Sequence, residues 1–194
     1  MPGVRSLTAQ TMSGNKYPEV LSYLAVYPSG KYTWVAPRSG RYRFVQWGGG
    51  GEGSTLGTDG GDGGAHAQSV RWISIGQSVN LTIGECSRGG SGSATTITLP
   101  DGFSVTTTGG ARGGVASSPG VATGGDINVP GVPRSGTTGG SGGGFGAFLG
   151  GIGGAAAGTH EGTSPGGGGA DTSGSSIGTS GAAGLAIIVL EGLA

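Results

Sequence analysis

Apolar and polar residues alternate over short stretches in the first half of the chain and again at its end, and hardly anywhere between. Lys31–Val35 carries Tyr32 and Trp34 at alternate positions. Arg41–Trp47 sets Tyr42, Phe44 and Gln46 on one face and Arg41, Arg43, Val45 and Trp47 on the other, the period of a half-buried strand. Pro37, Ser39 and Gly40 supply a turn, so these two runs read as a hairpin. Ser69–Ile75 and Ser78–Ile83 read as a second hairpin around Gly76-Gln77. Ala94–Leu99 and Phe103–Thr108 read as a third, around Pro100-Asp101-Gly102, with the β-branched content such strands need. Leu185–Leu190 is a short apolar run that reads as a closing buried strand. Val20–Tyr27, bracketed by Pro18 and Pro28, is either a strand or an irregular arm. No helical period of useful length is present. The expected fold is all-β, a small β-sandwich of about 7–8 short strands.

Between Gly109 and Gly184 the strand pattern stops, and glycine, serine, threonine and alanine take over, with clusters at Gly142–Gly144 and Gly166–Gly169. Strands on both sides anchor this stretch, so it reads as a long insertion. Two states are open to it. Gly 50 and Pro 9 in 194 residues, without a period, fit low complexity and disorder. Alternatively, glycine adopts the left-handed threefold polyproline II form, and bare backbones pack closely enough to bond one another. Each ordered glycine then costs about 1–2 kcal/mol of backbone entropy, which only a dense bond lattice can offset. The expected organisation is an N-terminal arm or first strand over residues 1–30, a capping or docking segment. A sandwich over 31–108 plus 185–194 follows, with a glycine-rich array over 109–184.

Composition narrows the function. Net charge is zero and charged residues make up 10% of the chain, far below disordered proteins. The lysines are Lys16 and Lys31, and no basic cluster exists, which argues against nucleic acid. The single cysteine, Cys86, excludes an internal disulfide and a cysteine metal cage. The first twenty residues lack the apolar core of a signal peptide, and no run reaches the ~18–20 apolar residues of a membrane span. No membrane insertion and no cofactor are expected.

The order of parts is informative. An aromatic strand pair ends in Trp47-Gly48-Gly49-Gly50-Gly51, and a loop rich in Gly and Asp follows. Strand ends reading Thr82-Ile83-Gly84 and Val105–Gly110, the glycine array and a final Ile187–Glu191 strand come next. This order, over roughly Tyr32 to Glu191, resembles the glycine-rich domain of bacteriophage tail-fibre proteins. More distantly it is similar to the tail-fibre-tip adhesins of T-even-type phages, with their polyglycine II sandwich. Ala155–Ala157 and Val129–Pro133 interrupt the array and depart from that pattern. The resemblance implies packed polyglycine II helices and a non-enzymatic virion protein made in the host cytoplasm. It implies a tail or fibre-tip position and binding to a bacterial surface receptor, protein or saccharide. Its partners are then other tail or fibre proteins, and it forms a homo-oligomer, trimeric as fibre proteins commonly are. The alternative role is purely structural, as a tail, baseplate or capsid decoration protein.

Candidate contacts are the residues that break the glycine runs. Phe145, Phe148, Leu149 and Ile152 form the most unusual apolar cluster, suited to a receptor or to packing against the sandwich or another subunit. His160 and Glu161 lie in a polar break that is a loop tip or a plain solvated turn. Arg112, Asp126, Asn128 and Arg134 offer hydrogen bonds to a ligand, or are ordinary surface residues. Gly48-x-Gly50-x-x-Gly53 matches the dinucleotide fingerprint by spacing but lacks a following helix. Asp59 and Asp62 read as turn residues making local bonds rather than calcium ligands. His66 and His160 lack the companions of a zinc site. Cys86 beside Glu85 and Arg88 is a passive or an activated thiol.

Overall fold

Strands form where aromatic and β-branched residues alternate with polar ones. In order they are β1 (Leu24–Tyr27), β2 (Gly30–Val35), β3 (Gly40–Trp47), β4 (His66–Ile73), β5 (Ser78–Ile83), β6 (Thr95–Thr98), β7 (Ser104–Thr107), β8 (Ala122–Thr123), β9 (Ile127–Val129) and β10 (Leu185–Leu193). The computed structural model describes residues 24–54, 59–86, 90–144, 149–151, 161–170 and 179–193, and no helix occurs among them. The strands make two five-stranded antiparallel sheets, ordered β1-β10-β3-β4-β9 and β2-β5-β6-β7-β8. The all-β sandwich class expected from the sequence is what the chain adopts. Among the described residues there are ten strands rather than seven or eight. The additional short strands β8 and β9 lie inside the glycine-rich stretch, where they edge both sheets.

The core sits between the sheets. Tyr42, Phe44 and Ile188 face Trp34, Leu81 and Ile97, all buried. The Trp34 ring meets Tyr42 edge-on with centroids 4.9 Å apart. Each such side chain contributes about 1.5–3 kcal/mol by leaving water. Towards the ends of β3, β6 and β7 the interior turns polar. There the buried Gln46 amide donates to the carbonyls of Val105 (3.0 Å) and Thr95 (3.3 Å).

Two of the three expected hairpins are sheet-crossing arches. β2 does not pair with β3, but with β5 in the opposite sheet. β4 does not pair with β5, but with β3 and β9. Period two fixes which face a strand buries and leaves the partner open. Trp34 and Phe44 bury against each other from opposite sheets, which a hairpin would forbid, since it would put both strands in one sheet. The two arches lock together: Ala36 N–H donates to Gln77 O and Gly76 N–H to Ala36 O, both at 2.9 Å. The third hairpin forms as expected, with Thr95 opposite Thr107, Gly102 at φ +84° and the Phe103 N–H on the Asp101 carboxylate. The closing strand is longer than read and lies between β1 and β3. Of the N-terminal arm, Leu24–Tyr27 is a sheet strand, Gly30 begins β2, and residues 1–23 lie outside the described residues.

The sandwich has two poles. Trp47, His66 and Leu185 mark one, where the glycine runs begin. Gly40, Ile73 and Leu193 mark the other, together with the arches and the β6–β7 turn. Leu24, opposite Val189, lies toward the second pole, as does Leu193.

At the first pole the backbone changes regime. Gly49, Gly50 and Gly51 donate to Ser93, Ala182 and Asp62, in three different chain segments. Glu52, Gly53 and Ser54 then return to the same three segments, at Gly90, Thr179 and Asp59. Gly60, Gly61 and Asp62 donate to Gly136, Gly169 and Ala111, and Gly63, Gly64 and Ala65 repeat the cycle at Val132, Gly166 and Thr108. The donor direction therefore repeats every third residue, not every second as in a strand. Segments also close three-way rings: Gly61 donates to Gly169, Gly168 to Gly140, and Gly140 to Gly61. A flat sheet allows no such ring. The block takes in Gly48–Ser54 and Asp59–Ala65 as well as runs from the later glycine-rich stretch. Glycine is required by contact: a Cβ on Gly63 would lie 1.9 Å from the Ser141 carbonyl oxygen, and one on Gly50 2.0 Å from that of Gly167.

Candidate functional site

The glycine segments alternate in direction, so their connections gather at two ends. The end remote from the sandwich carries the Ser54, Asp59, Arg112–Ser118 and Arg134–Thr138 region. Asp62 organises it. Its side chain is fully buried, and a buried carboxylate needs partners. Ser117 Oγ donates to Oδ1 at 2.8 Å, Ser118 N–H to Oδ2 at 2.6 Å and Arg134 N–H to Oδ1 at 2.9 Å. The Arg134 guanidinium lies 3.7 Å from Oδ2, with only 7% of its side chain exposed. It donates to the carbonyls of Arg112 (2.8 Å) and Val115. The structure thus brings Arg112 and Arg134 together, and it makes Arg134 an internal tie rather than a surface residue. Removing one partner of such a buried pair costs about 3–5 kcal/mol. Asp62 makes contacts 55–72 residues away, not the local turn bonds expected of it. No local pattern marks it; the only hint is a charge set within a glycine run.

Asp126 and Asn128 lie elsewhere, on the flank of the sandwich. The Asp126 carboxylate accepts from Val70 N–H at 2.7 Å and from Arg71 Nη1 at 2.7 Å. Burial alone would raise the Asp126 carboxyl; the Val70 N–H and the Arg71 guanidinium outweigh it and hold it below its usual range. Arg71 also stacks 4.8 Å over the Phe103 ring. Asn128 closes a turn on itself, its side-chain oxygen accepting from Gly125 N–H and its amide donating to Gly125 O. These two candidates are thus partly committed to holding the β8–β9 link.

Of the apolar cluster, Leu149 is 71% exposed, while Phe145, Phe148, Ile152 and His160 lie outside the described residues. Glu161 is exposed. Among the described residues Cys86 does not have the surroundings of an activated thiol. Burial pushes it up, a backbone hydrogen bond only partly opposes this, and Glu161, Glu85 and Glu52 add to the rise.

The histidine among the described residues is His66. It is fully buried and its ring lies 4.7 Å from Trp47, whose Nε1 donates to Gly143 O at 2.9 Å. Nε2 is 3.0 Å from the Gln68 amide nitrogen, which assigns Nε2 the acceptor role and places the proton on Nδ1. Burial lowers its pKa to about 4 despite the opposing pull of the Gln46 backbone. His66 and Trp47 seal the joint between sandwich and glycine block.

The Gly48–Gly53 motif is threaded through the glycine block, and no helix follows it among the described residues, so it lacks the setting of a dinucleotide loop. Among the described residues no group of acidic, histidine or cysteine side chains is placed to hold a metal. Clefts of about 90 Å³ beside Trp72 and Leu99, and about 200 Å³ beside Lys31 and Glu85, are below the usual size of a small-molecule site. No helix among the described residues is long and apolar enough to cross a membrane. No protein-family model matches the chain, and no curated protein matches it.

Proposed function

We propose that this is a phage adhesin, a virion protein at the tail or fibre tip that binds a bacterial surface receptor without catalysing a reaction. In this reading the glycine segments are polyglycine II helices, stacked into a stiff block that carries receptor-contact loops at its outer end. The observation that carries it is the three-residue repeat of backbone donors at Gly49–Ser54 and Gly60–Ala65, which is the period of that helix. Glycine Cα–H groups aimed at carbonyl oxygens, as at Gly50 and Gly63, add weak bonds to the block. A rigid scaffold with loops at one end suits recognition, because less ordering is lost on binding.

The two-pole layout supports the same reading. The strand positions Leu24 and Leu193 lie toward the pole opposite the block, and Val35, Trp72 and Ile75 are exposed there. That pole is the natural attachment to other tail or fibre proteins, including copies of this chain. A particle map tests the placement: the block should point outward. A block enclosed by neighbouring subunits would instead favour the purely structural role. Purified protein should compete with the phage for adsorption to its host, and failure to compete would defeat the adhesin reading.

A further inference from the structure

The two outer faces of the sandwich are unlike. Ala25, Phe44 and Ile188 belong to the core, so their strand neighbours Val26, Val45 and Ile187 point out of the sandwich. The register sets Val26, Ile187, Val45, Gln68 and Ile127 side by side across all five strands of that sheet. In the next row Val189 and Val70 flank Arg43, and Trp72 follows two residues beyond Val70. The outer face of the other sheet is polar. Thr33, Asn80, Thr98 and Ser104 make one row there, bonded side chain to side chain from Thr33 to Asn80 and between Thr98 and Ser104, both at 3.0 Å. Val35 is the one apolar residue that its strands turn outward. A strand with one wet face alternates apolar with polar, as β5 does, whereas a strand covered on both faces reads as an unbroken apolar run. Leu185–Leu190 is such a run.

Burial across the apolar face is graded. Val45 and Gln68 at its centre are buried, Ile187, Val189, Val70 and Ile127 are half-buried, and Val26 and Trp72 are 47% and 50% exposed. The rim toward the second pole carries both signs: Arg41, with 64% of its side chain exposed, lies 3.7 Å from Glu191. Such a rim suits a surface that meets its own copy, because each sign then finds its opposite. Five strands ~4.8 Å apart and about six residues of ~3.3 Å make a face of roughly 20 Å by 20 Å. Two such faces closing on each other remove on the order of 1,000 Å² from water, the lower bound for a specific pair.

We propose that the outer face of the β1-β10-β3-β4-β9 sheet is the contact between two copies of this chain, with Val26, Ile187, Val189, Val70 and Trp72 packed against the same patch of the second copy. The contact stands apart from the adhesin reading and holds equally for a structural role. Its small area makes the pair weak enough to come apart on dilution.

The test is the mass of the full-length protein by light scattering during dilution, read beside its tryptophan emission. Trp34 and Trp47 are buried within each copy, so Trp72 reports on the face. Dilution should halve the mass and shift the emission to the red. Trp72→Phe should remove the emission shift. Val26→Glu should raise the concentration at which half the pairs dissociate by at least about tenfold. Trp72→Glu, at the other exposed position, should do the same if Val26→Glu fails to fold. Thr33→Glu, the matching change on an edge strand of the polar face, should leave that concentration where it was. A single-chain mass at every concentration would overturn the proposal, and Trp72 emission would then tell a face covered by the chain's own residues from one left open for a different partner. A mass of three chains would also overturn it. So would a pair that survives both Val26→Glu and Trp72→Glu, or one that Thr33→Glu weakens as much.

Discussion

The sandwich and the glycine block solve the same problem with opposite materials. In the sandwich, side chains do the work: Trp34, Tyr42, Phe44 and Ile188 fill the space between two sheets, and each strand bonds to neighbours in one plane. In the block, side chains are the obstacle. A segment there touches neighbours on three sides, so stability comes from saturating the backbone rather than from apolar area. The lesson is that one chain can hold two kinds of core, one filled by apolar side chains and one that leaves no room even for a methyl group.

Substitutions can break that contrast, beginning with the most severe. Gly63→Ala puts a methyl against the Ser141 carbonyl and should destabilise by about 5 kcal/mol or more, read as loss of protection at Gly140 and Gly168. Phe44→Ala opens the sandwich core and should cost roughly 3–5 kcal/mol in a urea titration, with the sandwich amides affected first. If both variants lost the two regions in a single step at the same midpoint, the regions would be one cooperative unit.

The joint supplies a pH readout. His66 is held neutral with a folded pKa of about 4 against 6.5 unfolded, so the unfolded chain binds the extra proton between those values. Stability should be full above pH 6.5, fall as pH drops towards 4 and level below it, by roughly 3 kcal/mol in all. His66→Gln should flatten that slope. Asp126→Asn should cost about 0.5 kcal/mol, because its pairing with Arg71 is exposed. The folded carboxyl is depressed, so this contribution is present above the unfolded carboxyl range and disappears as pH falls through the folded value. Between the His66 and Asp126 effects, Gly76→Ala meets open space at φ +80° and should cost about 1 kcal/mol of backbone strain, with the block untouched.

Much of the sandwich was legible. Period two at Tyr42–Gln46 gave the buried face, and Pro100-Asp101-Gly102 gave a true turn. Partner choice was not legible, because β3 buries Tyr42 and Phe44 equally well whether its neighbour is β2 or β10. The strands Ala122–Thr123 and Ile127–Val129 were hidden by their glycine-rich surroundings, since edge strands of two or three residues leave no period to detect. At the candidate site, Arg134 was noticed for its charge, yet its role comes from Asp62, 72 positions away. That link depends on which glycine segments lie side by side, and a run of glycines carries no label for its neighbour.

The threefold donor repeat also restricts how the molecule can change in length. Adding one residue within Gly48–Ser54 turns every later donor by a third of a revolution, onto the wrong neighbour. Adding three restores the directions and, in the proposed polyglycine II form, lengthens the segment by one turn, about 9 Å. Insertions and deletions inside the rods are thus quantised in triplets, while those in the connecting loops are not.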